Sequence, residues 1–133
     1  MKQVNVAIAI VIQGRQILIC QRKADAALGG FWEFPGGKIE PAESPADCAR
    51  REVMEEVGIV VETVEPLPAI DYDYRDVRVH LHPFLCRYVE GATQARECQQ
   101  AIWVDPDALE NYQFPPADDS LLKELRQRFG RKT

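Results

Sequence analysis

The sequence predicts an α+β domain in which a mixed β-sheet is held between helices. Three observations predict it. The chain has 133 residues, the length of one domain, so residues 1–133 are read as a single unit. Its periodic segments run in the order strands, helix, strands, helix. Apolar residues make up 46% and charged residues 28%, a globular composition that can bury a core without staples.

The elements follow in order. Val4 to Ile12 is rich in β-branched residues and reads as a strand, buried on both faces in its second half. Gln13-Gly14-Arg15 is a turn, and Gln16 to Gln21 returns as the second strand of a hairpin. Arg22 to Gly30 is a loop ending in Gly29-Gly30, followed by the aromatic stretch Phe31 to Phe34 and a Pro35-Gly36-Gly37 loop. Ser44-Pro45 opens a helix. Ser44 is an N-cap, Pro45 suits the first helical position, and Asp47 completes a capping-box pattern. This helix runs through Val57 and stops at Gly58. Strands are expected at Ile59 to Val64, Ala69 to Tyr74, Val77 to Val89 and Ala101 to Val104. Asp105-Pro106 begins a short helix or turn, Asn111 to Ala117 a loop, and Asp118 or Asp119 caps a last helix. Leu122, Leu125 and Phe129 share one face of that helix, Gly130 ends it, and the tail Arg131-Lys132-Thr133 frays.

Charge and cysteine usage narrow the function. A net charge of -5 gives no general attraction for a polyanion, so no nucleic-acid polymer is expected as a partner. The four cysteines, 20, 48, 86 and 98, form no C-x-x-C pair and sit mostly in apolar stretches, so they read as buried, reduced thiols. The apolar run from Val4 is too short to span a bilayer and has no small-residue cleavage site. The expectation is a cytoplasmic protein with no membrane partner, monomer or homodimer.

The chemistry concentrates on the helix after Ser44. Glu52, Glu55 and Glu56 stand three and four residues apart, on one face. Like charges on one turn repel. Carboxylate oxygens are also the preferred ligands of Mg²⁺ and Mn²⁺, and a divalent ion turns the repulsion into attraction. Such a triplet alone is common on solvated helices. Here it is joined by Gly36-Gly37, which allow close approach of backbone, by Lys38, which can face phosphate, by Glu43, and by Arg51 within the acidic turn.

The segment Gly37 to Ile59, G-K-I-E-P-A-E-S-P-A-D-C-A-R-R-E-V-M-E-E-V-G-I, resembles the Nudix box without a departure: Gly37, Glu43, Arg51, Glu52, Val53, Glu55, Glu56, Gly58 and Ile59 stand at the spaced positions. The resemblance implies the Nudix α/β/α sandwich around a mixed sheet, and a hydrolase that cuts a diphosphate bond in a nucleotide. It also implies that Glu52, Glu55 and Glu56, aided by the Gly37 carbonyl, hold Mg²⁺, for which Mn²⁺ can substitute, and that Arg51 orients the glutamates. Glu43 would support the loop and helix. Glu97, before the 101–104 strand, looks like the additional glutamate of MutT-like members, a metal ligand or general base.

Further features resemble MutT-like enzymes over nearly the whole chain, more weakly from 60 to 100. Arg22, in Q-R-K-A-D, would reach substrate phosphates, and Phe34 would lie beside the nucleotide. Asp118 ends F-P-P-A-D, where a base-reading side chain is typically Asn. A carboxylate only accepts hydrogen bonds, whereas an amide also donates, so this departure bears on the base. The alternative role for Asp118 is a helix cap. His80 and His82 point the same way on a strand and read as ordinary sheet residues rather than a metal pair.

The implied substrate is 8-oxo-dGTP, cleaved to the monophosphate and pyrophosphate in nucleotide-pool sanitation. The alternative is CTP, dCTP or a modified pyrimidine nucleotide, since related members also end this loop in Ala-Asp. No S-Q-P-W-P-F-P stretch of NADH-cleaving members is present. A third reading, a non-catalytic recognition module, fits poorly because all the box carboxylates are intact.

Overall fold

The computed structural model describes residues 1–131. Residues 132 and 133 of the expected frayed tail lie outside the described residues. Among the described residues eight strands and two α-helices form: β1 Lys2–Gln13, β2 Gln16–Gln21, β3 Trp32–Glu33, β4 Gly36–Lys38, α1 Pro45–Val57, β5 Val60–Pro66, β6 Ile70–Tyr74, β7 Val77–Glu90, β8 Gln100–Val104 and α2 Asp119–Phe129. Two 3₁₀ turns, Pro106–Asn111 and Pro116–Asp118, precede α2.

The sheet is mixed and runs β3-β2-β1-β7-β5, with β4 beside β1, β6 beside β7 and β8 beside β2. β1 and β7 are parallel along Lys2↔Val77 to Ile12↔Arg87, and the remaining pairings are antiparallel. β1 is central because its second half, Ala7 to Val11, is apolar at every position and buried on both faces. Alternate residues split between two cores. Ala7, Ala9 and Val11 pack with Val53 and Val57 of α1, while Ile8 and Ile10 pack with Leu121 and Leu125 of α2. Helices therefore cover both faces, the expected α/β/α sandwich. Each fully buried aliphatic side chain contributes roughly 1.5–3 kcal/mol.

Two expectations need correction. Gly36 to Lys38 is a strand, not a loop: it pairs with β1 through Ile8↔Gly36, Ala7↔Gly37 and Val6↔Lys38. A Cβ on Gly36 would overlap the Ala7 carbonyl, so the missing side chain lets this ladder form. On α2, Leu122, Leu125 and Phe129 face one core as expected, and Leu121 joins Leu125 as its most buried residues. Asp118 makes no side-chain capping hydrogen bond to α2.

α1 starts and stops as its sequence dictates. Ser44 Oγ accepts from the Asp47 N–H at 3.1 Å. Gly58 takes the left-handed conformation, φ 74°, and its N–H reaches the Met54 carbonyl at 3.0 Å. All four cysteines are buried and free, as expected.

Candidate active site

β1 sets the site because both β4 and α1 dock against it. Glu52 and Glu56 project from α1 toward β4, where two glycines leave room for them, while Glu55 stays exposed and pairs with Arg51. The Gly36 N–H donates to Glu56 Oε2 at 2.8 Å. Glu52 lies so close to Gly37 that a Cβ there would overlap its carboxylate. The close approach that the glycines permit is thus first an approach to their own helix.

Arg51 organises the acids. Its Nε donates to Glu43 Oε2 at 2.7 Å, and its Nη1 donates to Glu52 Oε1 at 3.2 Å and Glu55 Oε2 at 3.0 Å. Its Nη2 reaches Glu43 Oε1 at 3.1 Å and the Lys38 carbonyl at 3.3 Å. One guanidinium therefore links the loop after β4 to two of the three helix glutamates. The Arg51 partnership, with the Glu40 N–H, holds the Glu43 carboxyl down at about 2.

Electrostatics separate the glutamates. Burial pushes Glu56 up to about 9; the Gly36 N–H opposes this, and Glu33, Glu52 and Glu97 add to it. Burial also raises Glu52, with Arg51 opposing and the charges of Glu55 and Glu97 reinforcing. Glu97, on the exposed loop between β7 and β8, thus stands near enough to act on both.

The donors are all oxygen: three carboxylates on α1, the nearby Glu97, and the Gly37 carbonyl, which also takes a weak Cys48 thiol contact at 3.6 Å. That set suits Mg²⁺ or Mn²⁺. Among the described residues no three acidic, His or Cys side chains already close into a cage. Glu55 is held by Arg51 and Glu56 by Gly36, so binding requires the carboxylates to turn toward a shared ion.

A cleft of ≈ 750 Å³ opens beside this acidic end. Gly36, Gly37 and Lys38 line one part, Phe34 and Glu33 the middle, and Tyr72 and the Pro115 to Asp118 loop another. Phe34 is buried and stacks on Phe114, ring centroids 5.1 Å apart. Trp32 instead packs edge-on against Tyr112 at 5.0 Å. Asp118 is 8% exposed, and burial, reinforced by Glu33 and Asp119, pushes its carboxyl up to about 6. Tyr72 is raised by burial and by the Asp118 charge, which places it beside that carboxyl.

The structure thus brings Arg22, Phe34, Gly37, Lys38 and Asp118 to one cleft, and Glu56 and Glu52 lie against two of its lining residues, Gly36 and Gly37. Arg22 faces the cleft but donates to Glu33 Oε1 at 2.8 Å and to the Ala27 carbonyl at 2.7 Å. His80 and His82 lie apart from it. His80 Nδ1 meets Asp71 at 2.6 Å, and His82 Nε2 meets Asn5 at 3.1 Å. Sequence reasoning missed Glu33 and gave Tyr72 no role in the site. Glu33 carried a signal, a glutamate between two buried aromatics, which is rarely a solvated position. Tyr72 carried none, since its place depends on how β6 pairs with β7.

A mixed sheet between helices, with this acidic helix after a glycine strand, defines a Nudix hydrolase fold. The chain belongs to that family: residues 7–124 match the NUDIX domain. Nudix hydrolases generally use a divalent metal. The chain is 36% identical to a CTP pyrophosphohydrolase of Escherichia coli (strain K12), covering 92% of this chain and 91% of that protein. It is 33% identical to the 8-oxo-dGTP diphosphatase of the same strain, covering 96% and 99%. The solution structure of the E. coli ORF135 protein superposes with a TM-score of 0.82 at 34% identity, covering 100% of this chain and 96% of that one. No helix among the described residues is long and apolar enough to cross a membrane.

Proposed function

We propose that this chain is one catalytic domain, a Mg²⁺-dependent nucleoside triphosphate pyrophosphohydrolase that converts 8-oxo-dGTP to the monophosphate and pyrophosphate and so cleans the cytoplasmic nucleotide pool. The observation that carries this is one cleft that runs from Gly36 and Gly37, the two glycines against which Glu56 and Glu52 lie, to a stacked, carboxyl-bearing pocket at Phe34 and Asp118. Glu52, Glu55 and Glu56, with the Gly37 carbonyl and Glu97, are the ligand set. The bound metal would screen the phosphate charge and lower the pKa of a water. Arg51 keeps Glu52 and Glu55 directed along α1, and Glu97 is the metal ligand or general base of this reading. Lys38 and Arg22 face the phosphates, the latter after exchanging Glu33 for substrate. Phe34 and Asp118 take the base.

A second reading, CTP or a modified pyrimidine nucleotide, is favoured by one observation. Two cleft-lining carboxyls, Glu33 and Asp118, are both raised chiefly by burial. An ionised carboxylate accepts from a cytosine amino group, and a protonated one donates to the adjacent ring nitrogen. The test is a panel of 8-oxo-dGTP, dGTP, CTP and dCTP assayed for pyrophosphate release with Mg²⁺. The proposal expects the highest kcat/KM for 8-oxo-dGTP. A preference for CTP or dCTP would transfer the assignment to the second reading, and no pyrophosphate from any of them would overturn both.

A further inference from the structure

The loop from Gly91 to Gln99 does more than connect β7 to β8. It docks on the C-terminal end of α1, where carbonyls lack helical partners. The Gln94 N–H donates to the Val57 carbonyl at 3.0 Å and the Arg96 N–H to the Glu56 carbonyl at 3.0 Å. Arg96 Nη1 donates to the Met54 carbonyl at 3.3 Å, and its Nε to Gln94 Oε1 at 3.0 Å. The last turn of α1 has no basic residue of its own, so Arg96 supplies the cation that the negative end of the helix favours.

Gly58 is shaped to this contact. A Cβ there would meet Arg96 Cζ at 2.8 Å, so the guanidinium lies directly over the glycine that ends α1. Gly58 is therefore constrained twice, by its left-handed backbone and by the side chain above it. On the far side of Glu97 the loop is pinned again. Cys98 is buried in the core, and the Gln99 N–H donates to the Gln21 carbonyl at 2.9 Å. Glu97 sits between these two anchors.

We propose that Arg96 is a positioning residue that clamps the Glu97 loop to the end of α1 and thereby holds Glu97 opposite Glu52 and Glu56. The proposal rests on the reading that Glu97 takes part in the reaction. It separates binding from turnover: Arg96 is remote from the cleft lining, so its loss leaves substrate affinity alone and acts on kcat through Glu97.

A double-mutant cycle tests it, with wild type, Arg96→Ala, Glu97→Gln and the double variant assayed for kcat and KM under saturating Mg²⁺. Displacement of a reacting group predicts a kcat loss of roughly 10- to 100-fold in Arg96→Ala, with KM within about twofold. In the Glu97→Gln background the same substitution should cost nothing further. Arg96→Lys, which keeps the charge and the packing stem, should recover part of the loss, and it carries the same cycle if the alanine variant does not fold. An unchanged kcat in Glu97→Gln would sink the underlying reading of Glu97. A loss in Glu97→Gln with the full Arg96 factor repeated on top of it would overturn the clamp alone.

Discussion

The two ends of the cleft are built in opposite ways. Most of the acidic end comes from one continuous stretch, Gly36 to Ile59, folded as a strand, a capped helix and a glycine stop, with Glu97 alone brought from elsewhere in the chain. Its carboxylates have dedicated partners, Arg51 and the Gly36 N–H, before any substrate arrives. The base end is assembled from pieces far apart in the chain: Phe34 after β3, Tyr72 on β6, and Phe114 to Asp118 before α2. Its main carboxyl, Asp118, is buried without capping the helix it precedes and is pushed up to about 6. The chemistry is thus held by local geometry, which tolerates little change, and the selectivity by tertiary packing, which one side chain can retune.

The largest effect should come from Glu52→Gln. It removes a charge from the ligand set while keeping the size of the side chain lying on Gly37. Turnover should fall by on the order of 10³, the scale of losing a principal charge-stabilising group. Pyrophosphate release at saturating Mg²⁺ measures it. The relative rates among the four nucleotides of the panel should not move. A changed ranking would break the separation between the two ends.

Gly37→Ala comes next. The added methyl group overlaps the Glu52 carboxylate and forces it off its place. A displacement of this kind costs roughly 10²-fold in kcat. It should also raise the Mg²⁺ concentration needed for half-maximal rate. Wild-type metal dependence in this variant would show that Glu52 does not need its seat on the glycine.

The same contrast explains what the sequence made legible. Ser44, Pro45 and Gly58 bound α1 by rules that act within a few residues, and the spacing of Glu52, Glu55 and Glu56 fixes their common face. β1 and β2 announced themselves as a hairpin, with a left-handed Gly14 in the turn, φ 60°. Gly36 to Lys38 did not read as a strand because its pairing depends on an edge of β1 that only the folded sheet presents. The cap role weighed for Asp118 failed for a related reason. A 3₁₀ turn, Pro116–Asp118, leads directly into α2, and Asp118 has helical rather than extended backbone, so its side chain does not fold back onto the first turn. Arg96 was invisible as a clamp, since its partners Met54 and Glu56 lie in the last turn of a helix that ends 39 residues earlier in the chain, at Val57.

Asp118→Asn should give the smallest effect and the sharpest one. Its carboxyl rises from the ordinary 3.8 to about 6, chiefly by burial. A folded-state value above the unfolded one means that the native protein binds this proton more tightly. The group's contribution to stability is therefore full below about pH 4 and is lost as pH rises through about 6. At pH 7.5 the charged, buried form costs at most roughly 3 kcal/mol, at 1.36 kcal/mol per unit. An amide does not titrate, so the melting-temperature gap between Asp118→Asn and wild type should open between pH 4.5 and 7.5, at about 3 °C per kcal/mol. A gap that stays flat would remove the burial cost. The amide also donates as well as accepts, and Asn is what MutT-like enzymes typically place here. The ratio of kcat/KM for 8-oxo-dGTP over CTP should accordingly rise about tenfold, the worth of roughly 1.4 kcal/mol. Because both substrates share the acidic end, its protonation cancels in that ratio, which reports on the base end alone. In the wild type the ratio should change as pH falls through about 6 and Asp118 gains a proton to donate. A ratio that is constant with pH would show that Asp118 does not read the base, whatever the acidic end does.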